Sequence, residues 1–335
     1  MSKRKEDYHF ISIAVVDGSL VELSKLDLSP WGIRSLHVKN DEFKDFIKSL
    51  SKGDSFEYNW EYFEKWVLRG GNDAGYVGGY DEFNILVPLN FEKPVEVNDY
   101  FDVIEAIRLM HPSIISIKHI IDVQIFDGNS MHIGGLSTYN NRTRWPSDED
   151  WYKYHFNYPE DQLELSSKFL RVIKERIPKL QYVANSMRYY SGSFRVNDLE
   201  MSFVSLCICL ESIVPTAEQL TFRFRRNLAV LCGENLETGK SILEKVKKLY
   251  NYRSKLVHFG MKKEDYKYFD NYLDYAQIIA SRMLIEMIIH NVPTIKQLDE
   301  RINELGIGEG KKVSKWYRPF KGNIINWVRV SSYKL

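Results

Sequence analysis

An arginine and a histidine lie five positions apart in the segment Tyr250-Asn-Tyr-Arg253-Ser-Lys-Leu-Val-His258-Phe-Gly260. A histidine side chain exchanges a proton near neutral pH, and an arginine side chain holds the negative charge of a phosphate. Together they supply the groups that cleavage of RNA without a metal ion requires. The spacing alone carries no weight, because Arg4 and His9 share it in a charged N-terminus that we expect to be frayed. The surrounding sequence must therefore decide whether this pair has a catalytic role.

Positive charge is concentrated around this pair. Residues 219–263 contain eleven Lys/Arg and three acidic residues, a local charge of +8, although the whole chain carries only +1. Such a basic segment is expected where a phosphate backbone lies. The alternative is a solvated face of two helices, but a solvated face normally mixes charges of both signs. Four of the cations are predicted to bind RNA: Arg223, Arg226, Lys248 and Lys255.

The elements before this segment predict an α+β domain over residues 1–150. Runs rich in β-branched and aromatic residues predict strands, and capped amphipathic runs predict helices between them. The strands are predicted at 9–16, 33–38, 83–89 and 114–126, and the helices at 41–50, 59–68 and 98–110. Residues 70–79 carry five glycines and predict a loop, which lacks the Gly-Lys-Ser/Thr of a phosphate-binding loop. The polar segment 135–160 marks the domain boundary.

The rest of the chain predicts an all-α bundle over residues 160–292 and a basic aromatic tail over 293–335. Short connections between successive helices favour antiparallel neighbours. The helices are predicted at 161–177, 180–190, 197–214 with Asn197 as its cap, 221–232, 239–257 and 263–290. The tail carries aromatic residues among its basic ones, which suits nucleic acid. We favour the other interpretation, in which these aromatic side chains dock on the body of the protein.

In this setting the bundle resembles the HEPN superfamily, the "higher eukaryotes and prokaryotes nucleotide-binding" helical bundles. It is most similar to the branch named for the ApeA anti-phage proteins. The similar segments are Leu206-Cys-Ile-Cys-Leu-Glu211-Ser-Ile-Val, Leu220-Thr-Phe-Arg223-Phe-Arg-Arg226-Asn-Leu-Ala-Val-Leu-Cys-Gly233 and Leu249-Tyr-Asn-Tyr-Arg253-Ser254-Lys-Leu-Val-His258-Phe-Gly260. The signature of the family is an arginine, usually a polar residue after it, and a histidine beyond four to six intervening residues. Arg253, Ser254 and His258 match it, and Glu211 matches a glutamate that the family often has on an earlier helix.

The resemblance implies a metal-independent endoribonuclease that needs no cofactor. It implies a homodimer in which both Arg-x4-His motifs face one composite site, in an anti-phage defence protein or a toxin that a phage-derived or regulatory trigger activates. Helix geometry agrees, because positions five apart lie about 140° around an α-helix. Either the helix loosens before Gly260, or a second copy supplies the missing partner. Glu211 would orient Arg253 or His258, or form a salt bridge with one of the other arginines.

Other features bound the function further. The three cysteines, Cys207, Cys209 and Cys232, are too few and too apolar in setting for a disulfide framework or a metal site, and they favour a reducing compartment. No signal peptide and no run of roughly 20 apolar residues is present, so we expect a cytoplasmic protein without a membrane partner. Two alternatives remain. One is a non-catalytic dimerisation module that binds RNA or a nucleotide, and the other is an enzyme within residues 1–150, which offer no catalytic set.

Overall fold

The chain divides into two compact units in a computed structural model. The sheet unit comprises Met1–Ala106, Ser113–Asn141 and Ser147–Leu170, and the helical unit comprises Ile107–Pro112, Arg142–Pro146 and Arg171–Leu335. The predicted order, α+β followed by all-α, is confirmed. The structure describes residues 8–19, 22–38, 41–50, 84–91, 93–126, 130–139, 156, 163–196, 198–215, 219–260 and 265–307.

The sheet unit is built on one antiparallel sheet with the strand order β2-β3-β1-β4-β5. The strands are β1 (Tyr8–Asp17), β2 (Ile33–His37), β3 (Asn84–Pro88), β4 (Ser116–Phe126) and β5 (Ser130–Thr138). The central strand β1 pairs with β4 from Tyr8 to Asp17, with a bulge between Val15 and Val16. Alternation along these strands directs Ile13 and Val15 into one core, as a period of two requires.

The sheet unit also contains α1 (Asp41–Leu50), the first turns of α2 (Val97–Met110) and residues 163–170 of the helix that follows. Phe43 and Ile47 of α1 belong to the same buried cluster as the side chains of β1. The Tyr100 hydroxyl of α2 donates a hydrogen bond of 2.5 Å to the backbone carbonyl of Ser12. These contacts belong to the core of the sheet unit.

The helical unit contains the end of α3 (Leu163–Arg176) and all of α4 (Gln181–Ser193), α5 (Leu199–Glu211), α6 (Leu220–Cys232), α7 (Leu236–Phe259), α8 (Phe269–His290) and α9 (Ile295–Ile307). Helix α8 is its centre and contacts α4, α5 and α6. Because α8 is apolar on nearly every side, it is stable only when surrounded by other helices. The Arg176 guanidinium donates to the carbonyls of Ile288 and Ile289, at 3.0 and 2.7 Å, and so satisfies the end of α8.

Several sequence predictions differ from the structure at element boundaries. Residues 135–138 continue strand β5 rather than beginning an irregular linker, because pairing with β4 overrides their glycine content. His9 lies in β1, paired with Ile125; this confirms the strand predicted at 9–16 and contradicts the frayed terminus expected around Arg4 and His9. The cap of α5 is Asp198, whose carboxylate accepts from the Met201 amide at 2.9 Å; Asn197 lies outside the described residues.

The tail predicted at 293–335 begins with a helix. Residues 295–307 form α9, and Leu298, Ile302 and Leu305 are buried along one side of it. Their spacing of four and three is the helical period, which was present in the sequence. The bundle predicted to end at residue 292 therefore has a further helix attached to it.

Several predictions fall outside the described residues. These are the position of Arg4, the helix at 59–68, the glycine loop at 70–79, the boundary segment 135–160 apart from 135–139 and Phe156, and the aromatic tail from residue 308 onward.

In the part of the chain that the structure describes, no single helix has the length and apolar composition to cross a bilayer. One bent pair, Tyr266–His290 followed by Ile295–Gly306 at 98°, meets those two criteria when taken together.

Candidate active site

Helix α7 carries the arginine–histidine pair, and both of its ends are well defined. At its start the Asn235 side chain accepts from the Thr238 amide at 2.9 Å and the Thr238 hydroxyl accepts from the Asn235 amide at 3.0 Å, a reciprocal capping box. This cap sets the first residue at Leu236 rather than at the predicted Gly239. At its end Gly260 has a φ of +68°, a conformation that favours glycine.

The connection between α6 and α7 also requires a glycine. A Cβ atom added to Gly233 would lie 2.5 Å from the carbonyl oxygen of Ala229 and 2.8 Å from the Cα of Gly239. Only a residue without a side chain allows this close approach. The chain therefore turns tightly between α6 and α7, and these two basic helices are neighbours.

Arg253 is held against α5. Its Nε lies 3.7 Å from the Oε1 of Glu211, the last residue of α5, and the two side chains are only 24% and 20% exposed. Burial raises the pKa of the Glu211 carboxyl, and the positive charge of Arg253 opposes that rise. Of the partners that the sequence left open for Glu211, the structure brings it to Arg253.

An aromatic cluster positions the backbone that carries Arg253. Tyr252 stacks on Tyr272 of α8, with ring centroids 4.2 Å apart, and meets Phe203 of α5 edge-on at 5.6 Å and Phe269 of α8 at 6.1 Å. Such pairs contribute about 0.5–1.5 kcal/mol each beyond the area that they bury. Sequence reasoning did not select Tyr252; the high aromatic content of the segment around it was the available signal.

His258 is exposed in the last turn of α7, and Ser254 is partly buried one turn earlier. Helix α7 stays α-helical through Phe259, so the helix does not loosen before Gly260. The Arg253 and His258 side chains therefore leave the axis about 140° apart and about 7.5 Å apart along it. The two side chains therefore begin on different sides of the helix.

The second half of α7 carries positive charge without acidic residues. Residues 245–260 contain five Lys/Arg and no Asp or Glu. Lys248 and Lys255 are exposed, as an RNA-binding role requires. Lys245 is partly buried, and burial followed by repulsion from Lys248 lowers the pKa of Lys245. The local field at this end of the helix thus attracts anions.

Arg223 and Arg226, the other two predicted RNA-binding residues, contact α9. Arg223 donates to the Asp299 carboxylate at 2.5 Å, and Arg226 donates to the Asn303 side chain at 2.6 Å. Asn227 adds a hydrogen bond of 3.0 Å to Asp299. Since these guanidinium groups hold α9 on α6, the structure gives them a role within the chain, and their contact with RNA stays a prediction.

The cysteines are core residues. Cys207, Cys209 and Cys232 are buried and unbridged, and burial raises the pKa of each thiol. Within the described ranges, no three His, Cys, Asp and Glu side chains form a group that could hold a metal ion.

Comparisons with protein-family models, with curated proteins and with solved structures find nothing that matches this chain.

Proposed function

We propose that this protein is a metal-independent endoribonuclease of the HEPN type, with Arg253 and His258 as its catalytic residues and a homodimer as its active form. The observation that supports this most is the contrast between the two side chains on α7. Arg253 is partly buried and held beside Glu211, whereas His258 is exposed at the acid-free, basic end of the same helix. A fixed cation and an accessible imidazole are the two groups that this chemistry uses.

The reaction begins when the imidazole of one His258 removes the proton from a ribose 2′-hydroxyl. The 2′-oxygen attacks the adjacent phosphorus, and the bond from phosphorus to the 5′-oxygen breaks. The leaving 5′-oxygen takes a proton from water, so one histidine and one arginine suffice for the reaction. Arg253 stabilises the added negative charge on the phosphorus oxygens. The products are a 2′,3′-cyclic phosphate and a 5′-hydroxyl, and DNA is inert because it lacks the 2′-hydroxyl.

A second copy supplies what the geometry of one helix lacks. Arg253 and His258 leave the same straight helix in different directions, about 140° apart. A two-fold axis near the end of α7 would bring Arg253 of one copy towards His258 of the other, because groups close to such an axis lie close to those of the second copy. Glu211 acts as a positioning residue for Arg253.

The biological role follows from the same resemblance. We assign the protein to anti-phage defence or to toxin action in the cytoplasm, where a phage-derived or regulatory trigger releases the nuclease. The sheet unit would sense that trigger or select the RNA.

A second candidate function is a non-catalytic module that dimerises and binds RNA or a nucleotide. It is favoured by the distance between Arg253 and His258 within one chain, since binding to a phosphate backbone does not require the two groups to converge. The exposed Lys248 and Lys255 would serve either function.

Cleavage of a labelled RNA by the full-length protein in EDTA separates the two candidates. We expect cleavage to survive chelation and to fall by about 100-fold or more in Arg253→Ala and in His258→Ala. A positioned general base contributes about 10²–10⁴-fold, and a positioned group that stabilises charge in the transition state contributes about 10²–10³-fold. Arg301→Ala is the matched control, since Arg301 is an exposed arginine paired with Glu304 on α9. Cleavage that both substitutions leave intact would reject Arg253 and His258 as the catalytic residues and with them the HEPN-type mechanism. RNA binding without any cleavage would favour the second candidate.

A further inference from the structure

Phe259 is the last residue of α7, and its side chain is 86% exposed. Its ring lies next to that of His258, with the centroids 6.2 Å apart and the planes at 61°. Phenylalanine contributes most of its stabilising effect when it is buried, so this side chain adds little to the fold of the unit. Single exposed apolar residues are common, and the surroundings decide whether this one has a use.

Those surroundings are basic. The ring of Phe259 follows the exposed Lys255 by four residues, so the two side chains are neighbours on the helix surface. No acidic residue occurs between Lys245 and Gly260 in the sequence. This positively charged helix end presents an exposed aromatic ring beside an exposed cation. It matches a ligand that has flat apolar faces and a negatively charged backbone. A single-stranded nucleic acid has both.

We infer that Phe259 is a stacking platform for an unpaired base of single-stranded RNA, while Lys255 contacts a neighbouring phosphate. This inference rests on the proposed function and names its substrate class. A base stacked on the Phe259 ring would bring its own ribose or the adjacent phosphate close to the imidazole of His258. Bases in a duplex are already stacked on their neighbours and do not offer a free face. Phe259 therefore selects unpaired RNA and sets which phosphate lies beside His258.

The other possible occupant of this surface is a second copy of the chain. Burying Phe259 against its own copy would also bring Lys255 and the other cations of α7 towards their like-charged counterparts. In the proposed dimer an RNA phosphate lies between the two copies and offsets that repulsion, whereas direct packing of Phe259 on the second copy would exclude the RNA and leave the like charges opposed. Charge complementarity thus favours RNA on the Phe259 ring, and the test below includes the second copy as an outcome.

Binding is measured by fluorescence anisotropy on the full-length chain carrying His258→Ala, so that RNA is not consumed. The probes are a short single-stranded RNA and an abasic RNA of the same length and charge, at one fixed salt concentration. We expect Phe259→Ala to weaken binding of the single-stranded RNA by roughly 5- to 100-fold, the factor that corresponds to loss of one stacked base. Binding of the abasic RNA should not change, and Phe259→Trp should bind as well as the parent. Phe222→Ala is the matched control, because Phe222 is also an exposed phenylalanine of the helical unit, at 62%.

Three results would overturn the inference. Phe259→Ala could leave binding of the single-stranded RNA unchanged, or it could weaken binding of both RNAs equally. It could also convert a dimer to a monomer in light scattering, which would assign the ring to the second copy. The binding and cleavage readouts fail separately. Stacking without cleavage would reject the nuclease and keep the stacking role of Phe259. Cleavage, together with RNA binding that does not depend on Phe259, would keep the nuclease and reject the stacking role.

Discussion

Glu211 and Arg253 form an ion pair at 3.7 Å, and both side chains are mostly shielded from water, so we expect their charges to be coupled. We expect Glu211→Ala to destabilise the helical unit by about 1–2 kcal/mol, since it leaves a partly buried cation without its carboxylate. A double-mutant cycle with Arg253→Ala should give a coupling energy of about 1 kcal/mol in denaturant unfolding. The same cycle between Glu211→Ala and Arg301→Ala should give none. Additive effects of Glu211→Ala and Arg253→Ala would mean that the pair does not interact.

Glu286 makes stability depend on pH. It lies in α8 with its carboxylate 3.0 Å from Arg282, and both side chains are almost fully buried. Burial raises the pKa of Glu286 to about 7, and Arg282 opposes that rise. Between the unfolded value of 4.5 and about 7, the folded state binds more protons than the unfolded state. The stability of the folded state therefore falls as pH rises through this window and levels off above it.

Glu286→Gln removes this titration and provides the reference. We expect the free energy of unfolding of the wild type, relative to Glu286→Gln, to fall by about 2–3 kcal/mol from about pH 5 to about pH 8. Denaturant unfolding of both proteins across that range measures it. The difference cancels the opposing effect of histidines such as His290, whose pKa burial lowers to about 3. Two parallel stability curves would contradict the prediction.

At the scale of elements, the hydrogen bonds that hold α9 on α6 depend on Asp299. Its carboxylate accepts from both Arg223 and Asn227, and its side chain is only 9% exposed. We expect Asp299→Ala to cost about 2 kcal/mol or more and to release α9 from α6, because it removes the acceptor of two largely buried donors. Hydrogen exchange of the amides of 295–307 measures the release. Glu300→Ala, at an exposed position of the same helix, should leave exchange unchanged. Unchanged exchange in Asp299→Ala would show that Asp299 does not hold α9 on α6.

Element types were predictable where one periodicity dominates. Residues 41–50 show the helical period and form α1 as expected, and the apolar runs of β1 and β4 predict their strands. Strand β5 was not predictable, because Gly134 and Gly135 lower the strand propensity and only pairing with β4 compensates. Helix α7 was predicted from Gly239, since its true start depends on the reciprocal bonds of Asn235 and Thr238, which a search for hydrophobic period does not detect.

The sequence indicated one contact of the candidate site and missed others. The sequence indicates that Arg253, His258 and Glu211 belong to one basic helical region, and Arg253 and Glu211 do meet. It does not reveal that Arg223 and Arg226 turn towards α9, because Asp299 and Asn303 lie more than seventy residues away in the chain. Long-range polar pairs of this kind depend on how helices cross, and a helix period does not encode that crossing.

At the scale of the whole molecule, the proposed composite site makes activity a property of two chains. Because Arg253 and His258 leave the helix of one copy about 140° apart, the proposed site takes its arginine from one copy and its histidine from the other. A dimer of Arg253→Ala with His258→Ala retains one of each, on different chains. We therefore expect a mixture of the two inactive variants to regain RNA cleavage after subunit exchange, at about a quarter of the wild-type rate or less, because about half of the dimers are mixed and each has a single pair.

The proportion of the two variants provides the control. Activity should be greatest in an equal mixture and should vanish towards either pure variant, as random pairing of subunits requires. A double variant, Arg253→Ala with His258→Ala, should restore nothing to either single variant. If instead Arg253 and His258 of the same chain act together, no mixture regains activity, because each chain of a mixed dimer lacks one of the two residues. That result, together with a monomeric mass in light scattering, would require a bend at the end of α7 that brings His258 round to Arg253 within one copy.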